Sequence, residues 1–248
     1  MMGKKQRDKM SRAQSRQTNR SDREGQIQRL TTYIGVAAVV LVLVLVGVFV
    51  MDLGSVITGE AELGTAGQPT LGSSDATVEV VEFADFKCPA CSVFKTQVFP
   101  QLKSDYIDTG KIRFSFLNFP LPLGPDSWTA ANAVECVYHE IGNQAFWDYY
   151  HGLFVNQGPE HRTWATPDLL VQLAEDYIDE PVDTDSLRSC IVNERYRGEA
   201  ERDREIGAAA EIPGTPTVFV NGQMLRDFRY GTIAGAIDRA LERSQSSQ

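Results

Sequence analysis

The sequence predicts an α/β domain with a helical insertion, preceded by a single membrane-spanning helix. Three observations carry this. Residues 30–51 form an uncharged run of 22 residues. Charge is split across that run. Behind it, strand-like and helix-like stretches follow the order strand, helix, strand, helical block, strand, hairpin, strand, helix, which is an α/β pattern.

The 248 residues suffice for one ordinary domain with additions. At 42% apolar and 23% charged, the chain is neither wholly disordered nor a multi-span membrane protein. Residues 1–29 hold nine Lys/Arg and three acids. Residues 52–248 hold 15 bases against 30 acids. The net charge of −9 argues against broad nucleic-acid binding.

Residues 30–51 are nearly all apolar from Tyr33 to Met51, and about 20 apolar residues cross the hydrocarbon core as a helix. The positive-inside rule keeps the basic tail, 1–29, in the cytoplasm and puts the acidic domain outside. A cleaved signal peptide has a shorter basic region and a shorter apolar core, so an uncleaved signal-anchor is expected. All four cysteines lie on the external side, where disulfides persist. Residues 52–75, rich in Gly and small residues, read as a flexible tether.

The domain then spans 76–248. Thr77–Phe83 is β-rich and apolar, hence a buried strand. A helix is expected from Cys88 to about Tyr106, kinked at Pro100. Lys111–Phe119 alternates as a second strand. The insertion, about 124–209, holds four helical stretches: Ser127–Ile141, Gln144–Val155, Asp168–Ile178 after the Thr166-Pro167 start signal, and a long charged one at Asp185–Ala208 capped by Thr184. Its aromatic residues (Trp128, Tyr138, Phe146, Trp147, Tyr150, Phe154) recur at helical spacing and read as core. Thr217–Val220 and Gln223–Leu225 flank Asn221-Gly222, a strong two-residue hairpin turn. A last helix runs from about Thr232 to Arg243.

Cys88-Pro89-Ala90-Cys91 follows a strand and opens a helix. Pro89 suits the first turn because its missing N–H would be unpaired anyway. Free N–H groups and the helix dipole favour a thiolate at Cys88. Cys91, one turn on, lies on the same face, close enough to bridge. A zinc site would need further paired ligands, whereas the other cysteines are isolated and His139, His151 and His161 are scattered. A structural bridge is the other alternative. Redox chemistry fits the context best. No metal, flavin or nucleotide motif is visible.

The stretch Val81–Cys91 resembles the active-site strand and helix of DsbA-like thiol:disulfide oxidoreductases, in their membrane-anchored branch. The resemblance extends through Leu71-Gly72, Asn118–Leu121, Phe146-Trp147 and Ile212–Gly222, covering roughly residues 70–245. It implies a thioredoxin-like fold. Cys88 matches the exposed nucleophile and Cys91 its buried partner. Pro216 after Thr215 matches the family's cis-proline, with an ordinary trans turn proline as the alternative. Glu82 matches a buried acid able to relay the Cys91 proton, unless it is a half-exposed strand acid. Asp85 is a second candidate, or a loop tie. Lys87 either stabilises the Cys88 thiolate or is solvated. Leu117 stands where related proteins often carry a charge, a departure that puts a proton route on that side in doubt.

Cysteines are frequent in the related proteins at the helices holding Cys136 and Cys190. The resemblance therefore implies a structural disulfide between them, with free thiols or a second redox pair as alternatives. It further implies a disulfide oxidase acting on reduced or unfolded secreted proteins without a bound cofactor. A quinone-linked membrane protein, DsbB-like or vitamin-K-epoxide-reductase-like, would reoxidise it. A reductase or isomerase of the same fold is the alternative, and a non-catalytic assembly module a more distant one.

Overall fold

The computed structural model describes residues 63–246, together with Leu41, Val42 and Val44, which are helical and exposed. The expected span at 30–51 otherwise lies outside the described residues, as do the tail at 1–29 and residues 52–62 of the expected tether. Among the described residues no helix is long and apolar enough to cross a membrane. The chain divides into two compact units, 1–58 and 59–248. All elements below belong to the second.

Five strands form one sheet in the order β1-β3-β2-β4-β5. They are β1 (Thr70–Gly72), β2 (Val78–Ala84), β3 (Ile112–Asn118), β4 (Thr217–Val220) and β5 (Gln223–Met224). β2 and β3 are parallel, joined by a helical crossover, and the other pairs are antiparallel. β2 is central and buried on both faces, so it reads as a near-continuous apolar run. Its pleat sends Val78, Val80 and Ala84 into the main core, and Val81 and Phe83 into a smaller cluster with Leu117 and Phe219. Glu82 shares the parity of Val80 and Ala84. The alternation that buries the valines therefore also buries a carboxylate.

The crossover, α1, runs through Pro89–Val93, Phe94–Val98, Phe99–Leu102 and Lys103–Ile107. The second and fourth pieces are π turns. Phe99 donates to the carbonyl of Phe94, five residues back, just before Pro100, which has no N–H to continue the ladder. The expected kink is thus a widened turn.

The insertion holds α2 (Pro125–Glu140), α3 (Asn143–Val155), α4 (Pro167–Tyr177), α5 (Thr184–Val192) and α6 (Arg197–Ala209). The Thr166 hydroxyl caps α4 by accepting from the Leu169 N–H, as its sequence suggests. The single long helix expected over 185–208 is two helices. Glu194 adopts φ 48° between them. Asn132 on α2 stabilises the break: its Nδ2 donates to the Ile191 carbonyl at 3.3 Å and its Oδ1 accepts from the Tyr196 N–H at 3.0 Å. Asp183, not Thr184, caps α5 through the Ser186 N–H.

From Leu63 onward the tether reading also gives way. Leu63 is buried, and β1 pairs with β3 inside the stretch read as flexible. A three-residue strand has too few alternating positions to register as one. At the other end, Asn221 and Gly222 both adopt positive φ, the conformation the two-residue hairpin requires. Helix α7 (Tyr230–Ser246) closes the fold.

Cys136 on α2 and Cys190 on α5 form a disulfide, with Cα atoms 6.1 Å apart and a sequence separation of 54. A loop of that length corresponds to about 4 kcal/mol in the chain-entropy model. Replacing both cysteines by alanine is expected to lower unfolding free energy by up to about that amount. Urea titration checks this, and an unchanged midpoint would refute it.

Candidate active site

Cys88 is the N-cap residue of α1, extended at φ −79° and ψ 119°, with Pro89 in the first turn. Its carbonyl accepts from the N–H groups of Cys91 at 3.1 Å and Ser92 at 3.3 Å. The turn leading into it is held from beneath by Asp85. One Asp85 oxygen accepts from the Lys87 N–H and the other from the Leu121 N–H, both at 2.8 Å, and the Asp85 carbonyl accepts from the Cys88 N–H. Asp85 thus ties two loops together. Gln157, just beyond α3, donates to the carbonyls of Phe86 at 2.7 Å and Cys88 at 3.0 Å. Nothing in the sequence marked Gln157, because only the packing of α3 brings it to that loop.

Cys88 is 7% exposed, and its sulfur lies 3.4 Å from the carbonyl oxygen of Thr215. The Thr215–Pro216 peptide bond is cis. The hydrogen bond from the Cys91 thiol, the Thr215 side chain and the N–H groups of Cys91 and Ala90 favour the thiolate over the burial that opposes it. They pull the Cys88 pKa down to about 6. Cys91 is fully buried, and burial together with the adjacent Cys88 pushes its thiol well above the ordinary value. The two sulfurs therefore differ in kind: one is a thiolate at neutral pH, the other a thiol.

Glu82 is fully buried and its Oε2 accepts from the Tyr150 hydroxyl at 2.7 Å. Burial raises its carboxyl to about 8, against the hydrogen bond from Tyr150 and the charge of Lys95. The pKa of the Tyr150 hydroxyl, from α3, is raised by burial, by Glu82 and, when Cys91 ionises, by that thiolate. Leu117 faces the opposite, apolar cluster. Lys87 does not serve Cys88. It is 3% exposed and its Nζ lies 3.0 Å from Asp126 Oδ2.

Because the Cys88 pKa is depressed on folding, the reduced protein gains stability from this group above the unfolded thiol value near 9. That gain is lost as pH falls through about 6. Thiolate absorbance of the reduced protein is expected to titrate near pH 6. Cys91→Ala, which removes the main donor to the thiolate, is expected to move the midpoint upward. A midpoint near 9 in the parent would refute the assignment.

The description "Thioredoxin" belongs to the family model that matches residues 64–239. Disulfide bond formation protein D of Bacillus subtilis is 37% identical over 177 residues, covering 71% of this chain and 78% of that protein. The probable disulfide bond formation protein D of Bacillus cereus is 31% identical over 215 residues, covering 85% and 96%. The oxidised crystal structure of Bacillus subtilis BdbD superposes with a TM-score of 0.70 at 35% identity, covering 74% of this chain and 97% of that one. A strand, a cysteine-bearing helix and a cis-proline loop meeting at one point, on a chain matched over most of its folded length, leave one assignment: the chain belongs to the thioredoxin family, in its DsbA-like branch, and is a disulfide-bond-forming thiol:disulfide oxidoreductase.

Proposed function

We propose that the protein is a membrane-anchored, extracytoplasmic disulfide oxidase whose redox centre is Cys88-Pro89-Ala90-Cys91. The asymmetry of the two sulfurs carries the reading. A thiol with a pKa of about 6 is a good leaving group, and a stabilised thiolate favours the reduced form, which makes the disulfide oxidising.

In the oxidised state the two cysteines are bridged. A substrate thiolate attacks the Cys88 sulfur, the S–S bond breaks, and Cys91 leaves as a thiolate that takes up a proton. The substrate's second thiolate then attacks the substrate sulfur of the mixed disulfide and displaces Cys88. The client keeps the new disulfide and the cysteine pair keeps two electrons. Thr215 and Pro216 flank the sulfur under attack, where an extended client backbone can pair. Glu82 supplies the Cys91 proton on reduction and accepts it on reoxidation. Clients are reduced or unfolded exported proteins. The electrons pass to a quinone-linked membrane protein, DsbB-like or vitamin-K-epoxide-reductase-like. The uncharged run at 30–51 behind a basic tail supports a single anchor with the N-terminus cytoplasmic, which keeps both redox partners on one surface.

The test is the reduction potential of the Cys88–Cys91 couple in the full-length protein, equilibrated against glutathione buffers. A value well above that of thioredoxin, roughly −270 mV, is expected. A value at or below it would overturn the oxidase in favour of a reductase.

A further inference from the structure

Beyond the sulfurs and Glu82, Lys95 is another buried ionisable group. Lys95 lies one turn after Cys91 on α1 and is only 8% exposed. Among the described residues its ammonium is in no salt bridge, and it lies against two aromatic rings. Nζ stands 4.0 Å from the Phe99 ring centroid and 4.6 Å from that of Tyr150. Tyr150 is thus shared: its ring face carries the cation while its hydroxyl holds Glu82 Oε2 at 2.7 Å. The other Glu82 oxygen, Oε1, is buried with no hydrogen-bond partner among the described residues. An isolated lysine in an apolar core is costly, and cation–π contacts alone offset only part of that cost. A fold keeps such a group readily when its charge has an electrostatic partner.

We propose that Lys95 is a positioning residue for the Cys91 proton: its charge, held by Phe99 and Tyr150, keeps the buried Glu82 carboxylate available as the proton acceptor when Cys91 reacts. The inference rests on the oxidase reading, in which Glu82 exchanges that proton. The position also matters. Neighbouring β3 offers leucine at 117, facing away from Glu82, so the compensating cation comes from the cysteine-bearing helix itself. The titratable groups around this pair come from three elements. Glu82 stands on β2, Asp148, Tyr150 and His151 on α3, and Lys103 on α1 with Lys95. The Coulomb attraction is mutual: Glu82 favours the charged lysine and Lys95 the charged carboxylate. Burial leaves both groups near 8, so each changes charge easily around neutrality.

The step that reads Cys91 directly is resolution of a glutathione mixed disulfide on Cys88. The Cys91 thiol loses its proton and its sulfur attacks the Cys88 sulfur. The Cys88–Cys91 bond forms and glutathione leaves as a thiolate that takes up a proton. The reduced full-length protein in detergent micelles is mixed with oxidised glutathione, quenched by acid and resolved by mass, from pH 5 to 10. Lys95→Met keeps length and apolar volume but removes the charge. It is expected to move the acid limb of the resolution rate up by about one pH unit and to slow the step about tenfold at pH 7. The deficit should close at high pH. Lys95→Arg, which keeps the charge, should restore the parent profile. Glu82→Gln should slow resolution at least tenfold and make Lys95→Met silent when combined with it. If Glu82→Gln slows the step but Lys95→Met leaves the pH limb in place, the role of Lys95 is overturned and the Glu82 relay stands. If Glu82→Gln has no effect, the relay itself fails. A drop in melting temperature without a displaced limb would mark Lys95 as merely structural.

Discussion

Replacing Cys88 by serine is expected to reduce thiol oxidation of a model dithiol peptide to background, a loss of about a thousandfold or more. The reason is positional as well as chemical. Of the two sulfurs, Cys88 caps α1, sits beside the Thr215 carbonyl and has the lowered pKa. A serine hydroxyl there can neither form the disulfide nor leave as a stabilised anion. Cys91→Ser should differ in kind. It leaves Cys88 able to couple with an oxidised client but unable to be displaced by its own partner, so mixed disulfides should accumulate on non-reducing gels. Undiminished activity of Cys88→Ser would instead point to an assembly module that merely retains the fold.

The second large effect is on stability. Lys87 and Asp126 form an ion pair at 3.0 Å, with side-chain exposures of 4% and 2%. Asp126 also accepts from the Trp164 N–H at 2.9 Å, which ties the segment before α4 to the start of α2. Breaking a buried pair leaves an uncompensated charge in low dielectric. Lys87→Met or Asp126→Leu should each cost about 3–5 kcal/mol by chemical denaturation. The double substitution to an apolar pair should recover much of that loss. The Cys88 titration near pH 6 should stay in place in Lys87→Met. A shift upward would restore the direct role that its sequence neighbourhood suggested. Its neighbour in sequence is the redox cysteine, but its neighbour in space is an aspartate 39 residues away.

Those two residues show where sequence reading succeeds and where it stops. Cys88 and Cys91 are legible because the motif, the strand before it and the helix after it are local, whereas Pro216 is legible only through resemblance. Glu82 is legible as a candidate through resemblance, and the pleat explains its burial: it shares the face of Val80 and Ala84. The Asn221-Gly222 hairpin and the Thr166 cap are local too. The division of the charged segment at Glu194 was not legible. A single amide, Asn132, stabilises it from another helix, against a helix-favouring composition. β1 escaped because three residues carry almost no periodicity, and its partner strand lies more than 40 residues on.

The polar interior is the deeper divide. Gln157, Lys95 and Asn118 look like ordinary soluble side chains in the sequence. In the fold Asn118 is buried, its Nδ2 donating to Glu135 at 2.7 Å and its backbone N–H to Asp203 at 2.9 Å. Burial raises both of those carboxyls, Glu135 to about 8 and Asp203 to about 6. No spacing rule foresees such clusters, because each member comes from a different element.

The sequence by itself determined the α/β order and the pair of cysteines at a helix start. These follow from backbone periodicity and from capping chemistry, which act over a few residues. Tertiary structure alone decided which buried charge answers which. It placed Lys95 over Tyr150 and Lys87 against Asp126, since desolvation and Coulomb attraction depend on distances that only packing sets.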